Sequence, residues 1–275
     1  MKIKGKTALV AGATRGIGLA IARKLAADGV RLVLPWYDWP EDSKAVRDEF
    51  SQLDAGHIFI EADLRNNRAV ENLFEGIRGA TGVLHILINN IERGGMPIVH
   101  GSYSREINRE QWRLEMDTTL LAKRLLFENA LPLLKKADEA TVINISSIAG
   151  LVGRSGPAGL LFSDGYAAAN RGVSSLTETW ARLGAPTIRV NEIMLGLIDT
   201  RHGRSTRGWD ALTEQEKSDL LQHTLLERTG TPEEVAQTVM YLVKDADYMT
   251  GSVIRLDGGY VAGGEKIPLM PDGIL

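Results

Sequence analysis

Cysteine is absent from this chain of 275 residues, which excludes disulfide bonds and thiolate chemistry and is typical of a reducing compartment. The chain also has no apolar stretch near the roughly 20 residues that a membrane-spanning helix needs. Neither charge dominates, since 32 Lys and Arg oppose 35 Asp and Glu. No basic run therefore indicates nucleic acid or an anionic membrane as a partner. We expect a soluble, cytoplasmic protein.

Histidine is scarce as well, with 5 in the whole chain. No cluster of His, Asp and Glu has the spacing of a metal site, so no metal is predicted. What the chain does have is a hydrophobic content of 44%, enough for a sizeable buried core at this length.

Short runs rich in Val, Ile and Leu alternate with amphipathic segments from one end of the chain to the other. The predicted strands are Thr7–Ala11, Val30–Leu34, His57–Ala62, Leu84–Ile88, Thr141–Ser146, Ile188–Met194 and Ser252–Leu256. Such runs show little alternation because helices cover both faces of a parallel sheet. The pattern predicts an α/β fold, a Rossmann-type doubly wound domain whose seven-stranded parallel sheet is flanked by helices.

Three further helices are predicted at Trp112–Leu134, Asp164–Leu183 and Pro232–Leu242. The last begins at Thr231-Pro-Glu-Glu, which combines an N-cap threonine with proline at the first helical position.

No linker or repeat interrupts this series, so we predict one domain over residues 1–263, followed by a C-terminal extension, 264–275, with no assigned role. The polar segment from about 199 to 228 lies late between two strands and contains a predicted helix near Ala211–Leu225. A segment inserted there overhangs the carboxyl ends of the strands, and it is a candidate substrate lid.

A glycine-rich turn follows the first strand, with Gly12, Gly16 and Gly18 in the spacing G-x-x-x-G-x-G. Such a turn directs backbone N–H groups and a helix N-terminus at a pyrophosphate. Gly12 permits the tight turn, Gly16 the close approach of the ligand, and Gly18 the packing of helix on strand. A glycine-containing turn without a ligand is the alternative for this motif alone.

The opening resembles the TGxxxGIG turn of the short-chain dehydrogenase/reductase family, with Ala11 in place of the threonine. Further segments follow in that family's order, over about residues 5 to 260. They are Ala62-Asp63-Leu64, Asn89-Asn90, Asn144 to Gly150, Tyr166, Ile188 to Asn191, Leu195 to Thr200, Arg228 to Ala236, and Thr250 to Gly259.

The resemblance implies a nicotinamide dinucleotide, with Asp63 and Leu64 at the adenine, Asn89 on the nicotinamide side, and Thr200 at its carboxamide or phosphate. The full set of implied cofactor contacts is Gly12, Thr14, Arg15, Gly16, Ile17, Gly18, Tyr37, Asp38, Asp63, Leu64, Asn89, Asn90, Tyr166, Asn170, Gly196, Ile198 and Thr200.

The end of the second strand bears on the choice between NAD and NADP, because a carboxylate there binds the ribose hydroxyls of NAD. Trp36 or Tyr37 holds that place, and Asp38 lies slightly beyond. Arg15, inside the glycine turn, suits the 2′-phosphate of NADP. We expect NADP, with NAD as the alternative. Arg15 and Asp38 as solvated loop charges are the plainer interpretation of each.

In the family a tyrosine transfers the proton, a serine holds the substrate oxygen, a lysine lowers the tyrosine pKa, and a helix asparagine supports a water chain. Tyr166 and Ser147 match the first two. Asn170 replaces the lysine, and Thr119 falls at the helix asparagine. The segment Arg154–Phe162 holds about six residues more than usual between the serine and the tyrosine.

The missing lysine has a cost that can be estimated. Asn170 lies one turn after Tyr166 on the same helix face and can bond a ribose hydroxyl, but it carries no charge. A nearby cation lowers a pKa by ~1–3 units from the tyrosine value of about 10. Its loss lowers the rate on the order of ten- to a thousand-fold. Surviving activity should favour reduction, which uses the neutral phenol.

Other side chains are candidates to replace the missing lysine. Arg171 follows Asn170 but is rotated by roughly 100° around the helix and is expected to point away. Lys123 lies one turn beyond Thr119 and is expected at the surface rather than pointing inward. Glu92 stands where the family has a glycine, and is either a new acid–base group or, as we expect, a side chain turned outward. His202 is expected to be a solvated residue of the lid.

We therefore expect an oxidoreductase acting on a small carbonyl or hydroxyl compound, with Tyr166 as proton donor and Ser147 polarising the oxygen. Two alternatives stay open: a nucleotide-binding homologue with little turnover that serves as a sensor or subunit, and a non-redox lyase or hydratase. The resemblance also implies a dimer or tetramer formed through the Trp112–Leu134 and Asp164–Leu183 helices.

Overall fold

The computed structural model describes residues 1–37, 39–53, 55–92, 106–200, 209 and 212–264, with backbone alone at 106–108. Its strands are all parallel and form one seven-stranded sheet in the order β3-β2-β1-β4-β5-β6-β7. The strands are β1 Thr7–Ala11, β2 Arg31–Trp36, β3 Ile58–Glu61, β4 Ile86–Asn89, β5 Ala140–Ser147, β6 Ile188–Leu195 and β7 Val253–Leu256. The predicted fold class is confirmed.

Helices connect the strands and cover both faces of the sheet. They are α1 Gly16–Ala27, α2 Pro40–Ser51, α3 Asn67–Ala80, α4 Glu106–Met116, α5 Ala122–Leu134, α6 Ala149–Val152, α7 Asp164–Gly184, α8 Glu214–His223 and α9 Pro232–Lys244. Along β5, Val142 belongs to the apolar cluster under α3 and α5, and Ile143 to the one under α1 and α9. This alternation places one core on each side of the sheet.

Local capping explains where several helices begin. Thr231 and Glu234 form a reciprocal capping box at α9 with Pro232 at the first position, which confirms the predicted start. Ser163 caps α7 by accepting a hydrogen bond from the backbone N–H of Tyr166. Each such cap satisfies an N–H group that has no partner inside the helix.

The prediction of one uninterrupted helix over Trp112–Leu134 is wrong in one respect. The helical segment starts earlier, at Glu106, and a π-helical turn over Asp117–Leu121 separates α4 from α5. The N–H of Ala122 donates to the carbonyl of Asp117, five residues earlier. The extra residue rotates the side chains that follow relative to a regular helix.

The order of the sheet reverses between β1 and β4, so the carboxyl ends of these strands border the crevice where doubly wound folds bind ligands. Part of the predicted lid, 201–208 and 210–211, lies outside the described residues, as do His202 and residues 265–275 of the C-terminal extension. The lid helix is shorter than predicted, since α8 covers Glu214–His223. We retain one domain over residues 1–263 as a proposal, supported by the single sheet.

Within the described ranges, no helix has both the length and the apolar character needed to cross a membrane.

Candidate active site

The glycine turn between β1 and α1 leaves no room for side chains. Gly12 has φ of +68° and Gly16 of +53°, a region that glycine enters without strain. A Cβ on Gly12 would lie 2.5 Å from the carbonyl oxygen of Asn90, and one on Gly18 only 2.1 Å from that of Gly12. The Asn90 amide also donates to the Gly12 carbonyl at 3.3 Å. The turn is thus held against the end of β4, with the N-terminus of α1 behind it.

This turn opens onto a cleft that collects most of the predicted cofactor residues. Those that line it are Gly12, Thr14, Arg15, Gly16, Ile17, Tyr37, Asp63, Leu64, Asn90 and Thr200. The methyl group of Thr200 lies 3.2 Å from the position that a Cβ on Gly16 would occupy. Residues from five separate segments of the chain therefore meet at one place.

Four other predicted contacts lie behind the lining. Gly18 packs against the turn, and Asn89 is buried and donates to Asn144 Oδ1 at 2.8 Å. A Cβ on Gly196 would lie 2.6 Å from the Cα of Asp257. Ile198 forms a backbone bridge to Gly230. Their predicted cofactor contacts stay predictions, and Asp38 lies outside the described residues.

Aromatic rings and guanidinium groups form one end of the cleft. Trp36 ends β2, and Tyr37 and Trp39 follow it along the cleft wall. The guanidinium of Arg15 lies 3.6 Å from the ring centre of Trp39, and that of Arg65 lies 5.9 Å from the ring centre of Tyr37. Both distances are within the range of a cation–π attraction.

Asp63, the residue implied at the adenine, forms a bidentate ion pair with Arg65, and both contacts measure 2.8 Å. The Arg65 hydrogen bond holds the pKa of the Asp63 carboxyl below its ordinary value, against the opposing effect of burial. The carboxylate is therefore ionised at neutral pH and fixed on the cleft wall. Sequence reasoning missed this pair, although an Asp-x-Arg spacing is short enough to suggest it.

Tyr166 lies in the first turn of α7, with 1% of its surface exposed. Its hydroxyl donates to Glu92 Oε2 at 2.9 Å. The expectation that Glu92 turns outward is wrong. The buried phenol O–H is a donor that needs an acceptor, and the Glu92 carboxylate accepts from it. Glu92 also lines the cleft.

Lys123 is fully buried, so the expectation of a surface lysine is wrong. Its ammonium donates to the carbonyl oxygens of Ile91 and Thr119, the latter at 3.1 Å. Burial lowers its pKa to about 8, and the nearby carboxylates of Glu92 and Glu192 oppose this shift. The π turn just before Lys123 rotates the helix so that this side chain points inward. The two backbone carbonyls compensate the ammonium for the water that it loses on burial.

The other three predicted catalytic residues, Asn170, Thr119 and Ser147, are all buried. The Asn170 amide nitrogen donates to the Tyr166 carbonyl at 3.0 Å, and its Oδ1 is buried without a partner among the described residues. Thr119 is buried within the π turn. Ser147 ends β5, and its hydroxyl oxygen accepts from the N–H of Ala149 at 3.1 Å.

Glu192 on β6 is a buried carboxylate that sequence reasoning missed. The hydroxyl of Ser146 donates to it, and so does that of Ser174, at 3.0 Å. Burial raises the pKa of Glu192, although these hydroxyl groups lower it in part. The available signal was an acidic side chain inside the predicted strand Ile188–Met194, which also contains Arg189.

These residues fit a nicotinamide dinucleotide. The glycine turn is a cradle that any Cβ would fill, the helix N-terminus behind it favours phosphate, and the orphaned Asn170 Oδ1 suits a ribose hydroxyl.

A sequence model of the family described as "Enoyl-(Acyl carrier protein) reductase" matches residues 12–261. The chain belongs to the short-chain dehydrogenase/reductase family of NAD(P)-dependent oxidoreductases. Among curated relatives, a 3-oxoacyl-(acyl-carrier-protein) reductase of Staphylococcus aureus is 30% identical, and the match covers 92% of this chain and 97% of the relative. A granaticin polyketide synthase putative ketoacyl reductase of Streptomyces violaceoruber is 33% identical, over 92% of this chain and 94% of the relative.

Among solved structures, the ligand-free aldohexose dehydrogenase of Thermoplasma acidophilum superimposes with a TM-score of 0.76 at 24% identity. The match covers 97% of this chain and 98% of that one, and it supports the dehydrogenase/reductase fold.

The resemblance implies departures from the family's pattern at three positions of the site, where Glu92 replaces a glycine, Thr119 an asparagine and Asn170 the lysine. The structure brings a different lysine, Lys123, into the electrostatic surroundings of Glu92, the carboxylate bound to Tyr166.

Proposed function

We propose that the protein reduces a carbonyl group to a hydroxyl group with NADPH, with Tyr166 as proton donor and Ser147 polarising the carbonyl oxygen. The observation that carries this proposal is the buried Tyr166 hydroxyl, which donates to a carboxylate on the cleft wall and so is a neutral phenol. The neutral form is the one that gives a proton to a developing alkoxide.

Ser147 has one hydrogen-bonding role already fixed. Its oxygen accepts from the Ala149 N–H, so the hydroxyl hydrogen is the part left to donate to a substrate oxygen. A donor held by backbone in this way stabilises negative charge as it develops on that oxygen. When bound, the nicotinamide supplies the hydride.

Asn170 takes over one of the two tasks of the missing lysine. Its buried Oδ1 has no partner among the described residues and would accept a hydrogen bond from a ribose hydroxyl, while its amide nitrogen stays bonded to the Tyr166 carbonyl. It has no charge, so it cannot act electrostatically on Tyr166.

NADP is proposed over NAD because of the residues at the end of β2. Trp36 stands where a carboxylate would bind the ribose of NAD, and Arg15 lines the same part of the cleft. A guanidinium group pairs well with a phosphate.

The substrate class follows from the names of the two curated relatives, a 3-oxoacyl-(acyl-carrier-protein) reductase and a ketoacyl reductase. We propose a small 3-oxoacyl thioester or a related ketone. A cytoplasmic homo-oligomer, dimer or tetramer, completes the proposal, with neither nucleic acid nor membrane as a partner.

Two measurements test this function. Fluorescence titration with NADPH and NADH should show binding of both, tighter for NADPH. NADPH consumption is then followed with an acetoacetyl thioester and a panel of small ketones and aldehydes. Failure to bind either nucleotide at millimolar concentration would overturn the proposal. Tight binding without turnover of any substrate would support the sensor or subunit alternative instead.

A further inference from the structure

Resting on the proposed reduction, we propose that Glu92 passes protons between the cleft and Tyr166, and that Lys123 positions that carboxylate. Together they take the place of the lysine that the family carries at position 170. Lys123 acts through Glu92 and is therefore a positioning residue.

Glu92 lies between the buried hydroxyl of Tyr166 and the open cleft. Tyr166 has 1% of its surface exposed and does not line the cleft. Glu92 does line it, and its carboxylate is 2.9 Å from the Tyr166 hydroxyl. A carboxyl group in contact with both a phenol and solvent is suited to carry protons between them.

Lys123 fixes the position of this carboxylate through the backbone. The lysine donates to the carbonyl of Ile91, the residue directly before Glu92, so it fixes the backbone from which the carboxylate extends. Its second bond, to the Thr119 carbonyl, anchors the ammonium to its own helix. Both contacts require the full length of a lysine.

Lys123 also interacts with Glu92 through its charge. Among the described residues, the charged groups that interact with Lys123 are Glu92, after β4, and Glu192, on β6. A buried cation near Glu92 offsets the repulsion between that carboxylate and any negative charge that develops on Tyr166. This is the effect that a lysine at position 170 would otherwise provide.

In reduction, a hydride and its electron pair go from the reduced dinucleotide to the carbonyl carbon, and the carbonyl oxygen takes the phenol proton. The Tyr166 oxygen, left as a phenolate, regains a proton through Glu92: the carboxylate takes a proton from water in the cleft, passes it to the phenolate and is again a carboxylate, and the water is left as hydroxide. Alcohol oxidation runs the same steps in reverse.

Glu92→Gln tests the relay, because the amide keeps the size and hydrogen-bonding capacity of the side chain but carries no transferable proton. We expect kcat for acetoacetyl thioester reduction to fall on the order of a hundredfold, with NADPH affinity unchanged. The pH profile of kcat should differ between the wild type and Glu92→Gln, because only the wild type has a carboxylate that can exchange protons with the phenol. Glu92→Asp should restore part of kcat. Glu128→Gln, at an exposed position of α5, is the matched control.

A readout independent of turnover is the tyrosinate absorbance of the unliganded protein followed against pH, with Tyr166→Phe as the blank. Removal of the adjacent negative charge in Glu92→Gln should let Tyr166 ionise at lower pH than in the wild type.

Lys123→Met tests the positioning role against the exposed control Lys135→Met. We expect kcat to fall roughly tenfold or more while NADPH affinity stays constant, and Lys123→Arg to restore part of the loss. Should Lys123→Met fail to fold, which unfolding curves would show, Lys123→Arg and Glu92→Gln still decide the matter.

The relay is overturned if Glu92→Gln keeps the wild-type kcat and pH profile while Tyr166→Phe is inactive; the proposed reduction then still stands. A wild type without turnover, or an active Tyr166→Phe, would instead overturn the proposed function itself.

Discussion

The guanidinium of Arg15 lies over the indole of Trp39, 3.6 Å from its ring centre, and both side chains line the cleft. This places a cation on a flat apolar ring at the end of the cleft bordered by β2. A guanidinium group has the planar, two-donor geometry that matches a phosphate in a bidentate contact.

Arg15→Gln should therefore change cofactor preference. The loss of a charge-assisted contact is expected to weaken NADPH binding roughly ten- to a hundredfold and to leave NADH binding nearly unchanged. Fluorescence titration of both nucleotides measures this, with the exposed Arg68→Gln as control. Equal loss for both nucleotides would show that Arg15 does not contact the 2′-phosphate.

Gly18→Ala should remove nucleotide binding and destabilise the fold. Its Cβ would lie 2.1 Å from the Gly12 carbonyl, which cannot move without opening the turn. We expect the free energy of unfolding to fall by about 1–3 kcal/mol. Gly79→Ala in α3, where a Cβ would meet nothing within 4 Å, should raise it by roughly 0.5–1 kcal/mol. Denaturant unfolding curves compare the two, and a stable, nucleotide-binding Gly18→Ala would refute the assigned role of the turn.

Two histidines should make the fold sensitive to acid. The Nδ1 atoms of His57 and His85 accept hydrogen bonds from the backbone N–H groups of Leu32 and Thr7, so each ring is neutral in that bond. Burial lowers the pKa of both, with nearby cations adding to the effect. The two neutral rings therefore contribute to stability in full above the ordinary histidine pKa of about 6.5. This contribution is lost as the pH falls below that value, because the unfolded chain then binds protons that the folded chain does not.

Urea midpoints on either side of that pH measure the effect, and His57→Gln with His85→Gln should reduce the dependence. A midpoint that does not change between the two conditions would contradict these assignments.

Lys123 should make the protein more stable at alkaline pH. Burial lowers its pKa from 10.5 to about 8, so between these values the unfolded chain holds a proton that the folded chain has released. Stability therefore rises with pH across this window. The difference in free energy of unfolding between wild type and Lys123→Met should grow in the same direction. A difference in free energy of unfolding that does not change with pH would show that Lys123 is hydrated in the folded protein.

The sequence reveals the sheet well because parallel strands are continuous apolar runs whose ends are marked by glycine and polar residues. Thr7–Ala11 was predicted with its observed bounds, and the other strands within a few residues. The glycine turn was equally readable from the spacing of its glycines, although the group that excludes a side chain at Gly12 is Asn90, at the end of β4.

The orientation of Lys123 was not readable, because one extra residue in the preceding π turn rotates everything after it, and no local pattern encodes that turn. Glu92 was misjudged for a different reason. Its partner, Tyr166, is distant in sequence, and only the folded chain brings the phenol to it. Glu192 is tolerated inside a strand because serines from two other positions donate to it.

Replacement of Tyr166 by phenylalanine is the most direct test of the account. Tyr166→Phe keeps the ring and removes only the hydroxyl that donates to Glu92, and Tyr248→Phe, at a fully exposed position, is its control. Both variants should bind NADPH like the wild type. The account predicts that Tyr166→Phe consumes NADPH with the acetoacetyl thioester on the order of a hundredfold or more slower, whereas Tyr248→Phe keeps the wild-type rate. Equal rates for the two variants would contradict it.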